Sequence, residues 1–245
     1  MQITYRCEAA TLEGFVQQLA VAYVARGYHF YVTGRVPLRL LPQEHDERML
    51  AKFDVAHSKH ARYRRRQRRG DDGRPLANTQ YLRHGSFWVL LATAGSHRFF
   101  TEHQQWDTSR QTLTRQYRDV RRQPIVYGGY SISQRRGRTT VRISPRAYRE
   151  LKQHYLAVAL TFSTDSLGQE FKRCPFESYG GVNNQMHAIL RAVNRRRKVA
   201  GLSPVPREAV RTKRRQRSPF GAPERIQSLV KMEVNDVENR PRRAA

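Results

Sequence analysis

Acidic residues are what this sequence has least of for its size: 20 Asp+Glu stand against 46 Lys+Arg, giving a formal net charge of +26. Charge of one sign repels itself, and a compact chain carries it best when a polyanion neutralises part of it. Lysine is scarce too, with 7 Lys beside 39 Arg. The guanidinium is planar, weakly hydrated and always charged, and its fork suits phosphate oxygens and stacking on bases. Only two cysteines occur, Cys7 and Cys174. They are too few and too far apart for a disulfide framework or a CxxC zinc site, and read as small reduced core residues. No apolar run reaches the ~18 residues of a membrane helix. The first residues lack the charged-then-apolar order of a secretory signal. An intracellular protein, cytoplasmic or nucleoid-associated and without a membrane partner, is expected. No G-x-x-x-x-G-K-[ST] loop, H-E-x-x-H or G-x-S-x-G is present, so NTPase, zincin and α/β-hydrolase chemistry find no support and no cofactor is implied.

The apolar residues that are present fall into periodic blocks. Residues 3–7 alternate as a short strand does, and Thr11 stands as an N-cap before Leu12, Phe15, Val16, Leu19 and Tyr23 at helical spacing. Gly27 stops that helix, and residues 28–36 read as a strand, closed by Pro37. A short helix is expected over 44–53. Residues 58–75 hold seven Arg between 62 and 74 and read as a basic helix ending near Gly70, or as an arm ordered by a partner. Residues 79–82 and 87–93 flank a turn at 83–86, and 97–101 is a further strand candidate. Residues 125–133 alternate, and an arginine-rich tip at 134–138 turns them into 139–143, a hairpin. Ser144-Pro145 looks like a helix start, with Tyr148, Leu151 and Tyr155 on one face. A second helix is expected over 182–200, ended by Gly201. Beyond Ser203 an irregular basic tail is expected, with an amphipathic segment at 226–234.

These elements predict an α+β fold: a ferredoxin-like antiparallel sheet core with added C-terminal helices and an arginine-rich tail, disordered or ordered by a partner. Its parts would be a sheet domain over 1–144 with a basic insertion at 57–75, a helical part over 145–202 and a basic tail over 203–245. An exposed sheet of this kind can stack bases on aromatics, and Tyr28, Phe30, Trp88 and Tyr130 are the candidates. Phosphate contacts are expected from Arg62, Arg64, Arg65, Arg66, Arg68, Arg69, Arg135, Arg136, Arg138, Arg195, Arg196, Arg197, Arg214 and Arg215. Neutralising six to ten phosphates would lower affinity by about 10³–10⁵ between 50 and 200 mM salt. RNA is the expected ligand ahead of duplex DNA, since no helix-turn-helix or zinc finger is evident.

Tyr28-His29-Phe30-Tyr31-Val32-Thr33-Gly34-Arg35, followed by the 44–53 helix and the 87–93 strand, resembles the opening of single-tyrosine HUH transposases of the REP-associated type. The resemblance spans residues 28–93. It implies a ferredoxin-like fold that binds hairpin or single-stranded DNA, and in that family a tyrosine cuts with a divalent metal. The family's His-hydrophobe-His pair is absent here, with only His84 nearby. The resemblance therefore implies the binding fold rather than the cleavage, with Tyr148 as the residue placed like a nucleophile.

A metal-independent endoribonuclease is the alternative, for which an imidazole and cations suffice. His84 on its turn is the first candidate base and His29 the second. His57 with His60, and His97 with His103, lack Cys or Asp at zinc-like spacing, so no metal site is assigned. Three functions follow: a nucleic-acid-binding subunit of a ribonucleoprotein or mobile-element complex, with other proteins as partners; a nuclease; or a structural protein of a large RNA particle such as a ribosome.

Overall fold

The computed structural model describes residues 5–55, 58–107 and 112–221. It is an α+β protein of helices and antiparallel sheets. The chain enters along the edge of the first sheet, where Cys7 O accepts from Arg83 N–H and Ala9 N–H donates to Arg83 O, each at 2.7 Å. Thr11 then caps a helix, its Oγ1 accepting from Gly14 N–H at 3.1 Å. This helix starts as α1 (Leu12–Gln17), widens into a π-helical stretch (Gln18–Tyr23), tightens over Val24–Arg26 and stops at Gly27, whose φ is +94°. Phe15, Val16, Leu19, Tyr23 and Val24 are its buried face.

The first sheet is built from β1 (Phe30–Arg35), β2 (Thr79–His84), β3 (Phe87–Ala92) and the short β6 (Arg118–Asp119), ordered β2-β3-β1-β6 with every neighbour antiparallel. Between β1 and β2 lie α2 (Pro42–Lys52) and α3 (Lys59–Gln67), and α4 (Arg98–Glu102) follows β3. Alternation puts Val32, Tyr81, Leu90 and Ala92 on one face, under Phe53, Val55 and Phe99. Tyr31, Leu82, Val89 and Leu91 occupy the other, under Phe15, Leu19 and the second sheet. Burying each such side chain contributes roughly 1.5–3 kcal/mol. Both faces of the sheet are thus closed.

A two-stranded hairpin, β4 (Gln104–Asp107) with β5 (Thr112–Arg115), precedes β6. The second sheet is β7 (Ile125–Tyr127), β8 (Tyr130–Arg135) and β9 (Arg138–Ile143). Three helices follow: α5 (Pro145–Val158), α6 (Thr164–Lys172) and α7 (Gly180–Val199). Ser144 caps α5 with Pro145 at its first position, as its sequence requires.

Several elements differ from expectation. Residues 97–101 are not a strand. His97 Nδ1 accepts from Phe99 N–H at 3.0 Å and caps α4, which buries Phe99. The 125–133 run is two strands, because Gly128 and Gly129, at φ +54° and +78°, make a two-residue turn that reverses the chain. Residues 203–221 do run irregularly, but they lie on the core rather than trailing from it. Val205, Ala209 and Val210 are buried, and Asn194 exchanges two hydrogen bonds with the Val205 backbone, at 2.8 and 2.9 Å. The 226–234 segment lies outside the described residues.

Candidate nucleic-acid interface

Ser58 starts α3, its Oγ accepting from Ala61 N–H at 3.0 Å. Arg64, Arg65 and Arg66 fill the last turn, where the helix dipole favours cations. Nothing on this helix is fully buried, so a few side contacts hold it. Asn78 Nδ2 donates to Arg62 O at 3.1 Å, and the Arg65 guanidinium pairs with Asp54 while donating to its carbonyl at 2.7 Å. Lys59, Arg62, Tyr63 and Arg66, spaced i, i+3, i+4 and i+7, then share one face.

That face forms one wall of a groove of about 520 Å³. Gln18, Ala22, Tyr23 and Arg26 of the 12–26 helix form the other wall. Tyr5, Tyr28 and Gln80 lie at its floor, with Arg6 and Phe220 also lining it. Five lining residues are cations and none is a carboxylate. Among the described residues, Arg6, Arg26, Lys59 and Arg66 make no ion pair. Burial raises the pKa of Tyr5, Tyr23 and Tyr28, and the charges of Arg62 and Arg66 offset part of this at Tyr28. The three phenols therefore stay protonated at neutral pH, neutral donors rather than phenolates. Gln80 Oε1 accepts from Tyr5 Oη at 3.0 Å, whereas its Nε2 is buried without a partner among the described residues.

The other expected arginines are scattered around this groove and beyond it. Arg64, Arg66, Arg68 and Arg69 are exposed on and after α3. Arg135, Arg136 and Arg138 stand on the β8–β9 tip, where Arg136 and Gly137 take φ of +50° and +75°. Arg195 and Arg196 are exposed on α7, as are Arg214 and Arg215 in the chain that follows it. Arg138, Arg142 and Arg214 line a second cavity of about 470 Å³, at the start of α7 and against Val21 and Ala25 of the 12–26 helix. Cations thus flank both sides of that helix.

Arg197 does not belong with them. It is 3% exposed and donates to the carbonyls of Ala159, Phe162 and Ser203 at 2.8, 2.9 and 2.7 Å, and to Thr164 Oγ1 at 3.1 Å. Its position on α7 turns it inward, where its five donors close the α5–α6 connection.

Of the four sheet aromatics, Tyr28 and Tyr130 are 4% and 1% exposed, Tyr28 reaching only the floor of the groove. Phe30 and Trp88 are partly buried. Phe30 sits edge-on to Phe100 and Tyr117, with centroids 5.3 and 5.8 Å apart, and Trp88 lies 5.6 Å from His45. Tyr63 was not expected to matter, yet its ring is 62% exposed in the groove. Its signal was available in the sequence: an aromatic set among cations at helical spacing.

His84 lies 2.9 Å through Nδ1 from Tyr127 Oη, with its ring also against Phe15. His29 has its pKa lowered by burial and by Arg121, with Asp119 opposing. Tyr148 packs half-buried against the main core. These three candidates are not brought together in one groove. Among the described residues no three His, Cys, Asp or Glu side chains are grouped to hold a metal ion. His57 lies outside them. No helix among them is long and apolar enough to cross a membrane.

Comparison of the chain with protein-family models, with curated proteins and with solved structures gave no match.

Proposed function

We propose that this protein binds nucleic acid, RNA ahead of duplex DNA, as a subunit of a ribonucleoprotein or mobile-element complex. The observation that carries the reading is the groove between α3 and the 12–26 helix, with five cations and no carboxylate among its lining residues. Held close together, these cations repel one another, and successive phosphates relieve that repulsion. A second basic cavity on the far flank of the same helix supports a broad binding surface.

The sheet supports a ferredoxin-like core. Its order β2-β3-β1-β6, all antiparallel, with helices after β1 and after β3, is the pattern that such a core requires. The likeness of residues 28–93 to HUH transposases then concerns the binding scaffold. The reading as a particle protein with a threading tail has less support, because residues 203–221 are engaged with the protein's own core.

The test is copurification from the native host without nuclease, sequencing whatever nucleic acid is retained, followed by anisotropy titration of that species. Retention of a defined RNA or DNA, with affinity falling by about 10³–10⁵ between 50 and 200 mM salt, is expected. A heterogeneous mixture removed by moderate salt, or no nucleic acid at all, would sink the reading.

A further inference from the structure

We infer that the groove between α3 and the 12–26 helix is a site for single-stranded polynucleotide, in which a base stacks on Tyr63 while Lys59, Arg62 and Arg66 hold phosphates. This rests on the nucleic-acid reading above and assigns it a substrate class and a place.

Two features separate the groove from a general phosphate-attracting surface. The first is Tyr63, an exposed ring on the same helical face as three cations. Along α3, Lys59 to Arg66 rises about 10 Å, room for two or three consecutive phosphates, and Tyr63 falls between them. Arg26 stands on the opposite wall and Arg6 also lines the groove, so the positive charge is not confined to α3. The second feature is the floor. Tyr5, Tyr28 and Gln80 line it with neutral polar side chains, so it carries no charge of either sign and suits an uncharged base more than a phosphate.

Duplex can use only half of this arrangement. Its bases are stacked on one another, so it offers phosphates to the cations but no ring face to Tyr63 and no base to the neutral floor. A single strand, whose bases can splay out, uses both halves. The base-binding element is therefore a helix face beside the sheet's β2 edge, and the closed sheet faces take no part.

The experiment is anisotropy titration of the full chain with fluorescent single-stranded RNA, single-stranded DNA and a duplex of equal phosphate number. It compares wild type, Tyr63→Ala and Tyr63→Phe at one salt concentration. Tyr63 is a surface ring, so both variants keep the fold, which circular dichroism checks. Tyr63→Ala is expected to weaken binding of both single strands about 5- to 150-fold, the fold-change equivalent of losing one base–aromatic stack. Duplex binding should stay within about twofold, since its phosphate contacts are untouched, and Tyr63→Phe should behave as wild type. A difference between the ribo- and deoxyribo- arms identifies which strand the groove prefers. Equal weakening of single strand and duplex, or no effect of Tyr63→Ala, overturns the inference while leaving charge-driven binding standing. Failure of wild type to bind any of the three overturns the underlying reading instead.

Discussion

Arg83 and Asp46 form an ion pair inside the protein, with Nε 2.9 Å from Oδ1 and 3.0 Å from Oδ2 and both side chains nearly fully buried. Glu8 joins from the edge segment, accepting from Arg83 Nη1 at 3.0 Å, and Tyr81 Oη donates to Asp46 at 2.8 Å. Burial works against the Arg83 charge, but these hydrogen bonds more than offset it and raise its pKa. Glu177, also buried, lies 3.8 Å from Arg211 and 4.0 Å from Arg217. Some of the few carboxylates in the chain are therefore committed to arginines in or near the core. The lining of the α3 groove, by contrast, holds five cations and no carboxylate.

Asp46→Ala should destabilise the protein by about 1–3 kcal/mol, because it takes away the carboxylate that accepts from Arg83 Nε and Tyr81 Oη while Glu8 still holds the other end of the guanidinium. Urea denaturation measures this directly. Combining it with Arg83→Met removes the Nε donor left without its acceptor, so the double variant should lose less than the sum of the single losses. Additive losses would mean that the two residues act independently.

Arg195 and Arg197, two positions apart on α7, should separate binding from stability. Arg197→Ala leaves three carbonyls without their donor and should cost about 2–4 kcal/mol. Arg195→Ala, at an exposed position, should stay within about 0.5 kcal/mol. Thermal or urea unfolding of the pair decides the point, and equal stability of the two would contradict the assignment of Arg197 to the interior.

How far this was legible in the sequence depends on which force placed each residue. Caps and turns are local, so Thr11, Ser144, Gly27 and the 134–138 tip announced their elements. The helix over 59–67 could be read from an N-cap followed by straight-chain residues. His97 misled because Arg98-Phe99-Phe100 looks like strand, whereas an imidazole acceptor at its own start makes it a helical turn. The inward turn of Arg197 depends on carbonyls from 159, 162 and 203, contacts no local pattern encodes. The same holds for the groove. Its walls come from residues about 40 positions apart in sequence, with Gln80 and Phe220 added from elsewhere, so the arginine run and Tyr63 within it were visible but the opposite wall and the floor were not.

Stability should fall as pH drops below about 6.5, before the carboxylates titrate. His29, His45, His97 and His187 all have pKa values lowered, burial being the largest cause in each. A histidine whose folded pKa lies below its unfolded value binds fewer protons when folded. Its contribution is complete above the unfolded pKa and is lost as pH falls toward the folded one. His97 adds a specific loss, since protonation removes the acceptor that caps α4. Denaturant midpoints measured across this range should therefore decline with acid. His97→Asn, which keeps a capping oxygen and does not titrate, should flatten the decline. An unchanged slope in that variant would rule out His97 as a contributor.

Arg66 and Arg135 offer a test of how the binding charge is distributed. Arg66 lines the α3 groove and Arg135 stands on the β8–β9 hairpin tip. Each is exposed, so replacing either with Ala should leave unfolding within about 0.5 kcal/mol. An arginine that neutralises one phosphate contributes about one unit to the slope of log affinity against log salt. Arg66→Ala should therefore lower that slope by about one for single strand and for duplex alike, because phosphate contacts do not depend on base stacking. If the surface extends to the hairpin, Arg135→Ala lowers the slope by a similar amount, and the double variant lowers it by the sum. If only the groove is used, Arg135→Ala leaves the slope unchanged while Arg66→Ala still reduces it. A slope indifferent to Arg66 would remove the groove from the interface, because five cations and no carboxylate among its lining residues are the reason for placing the strand there.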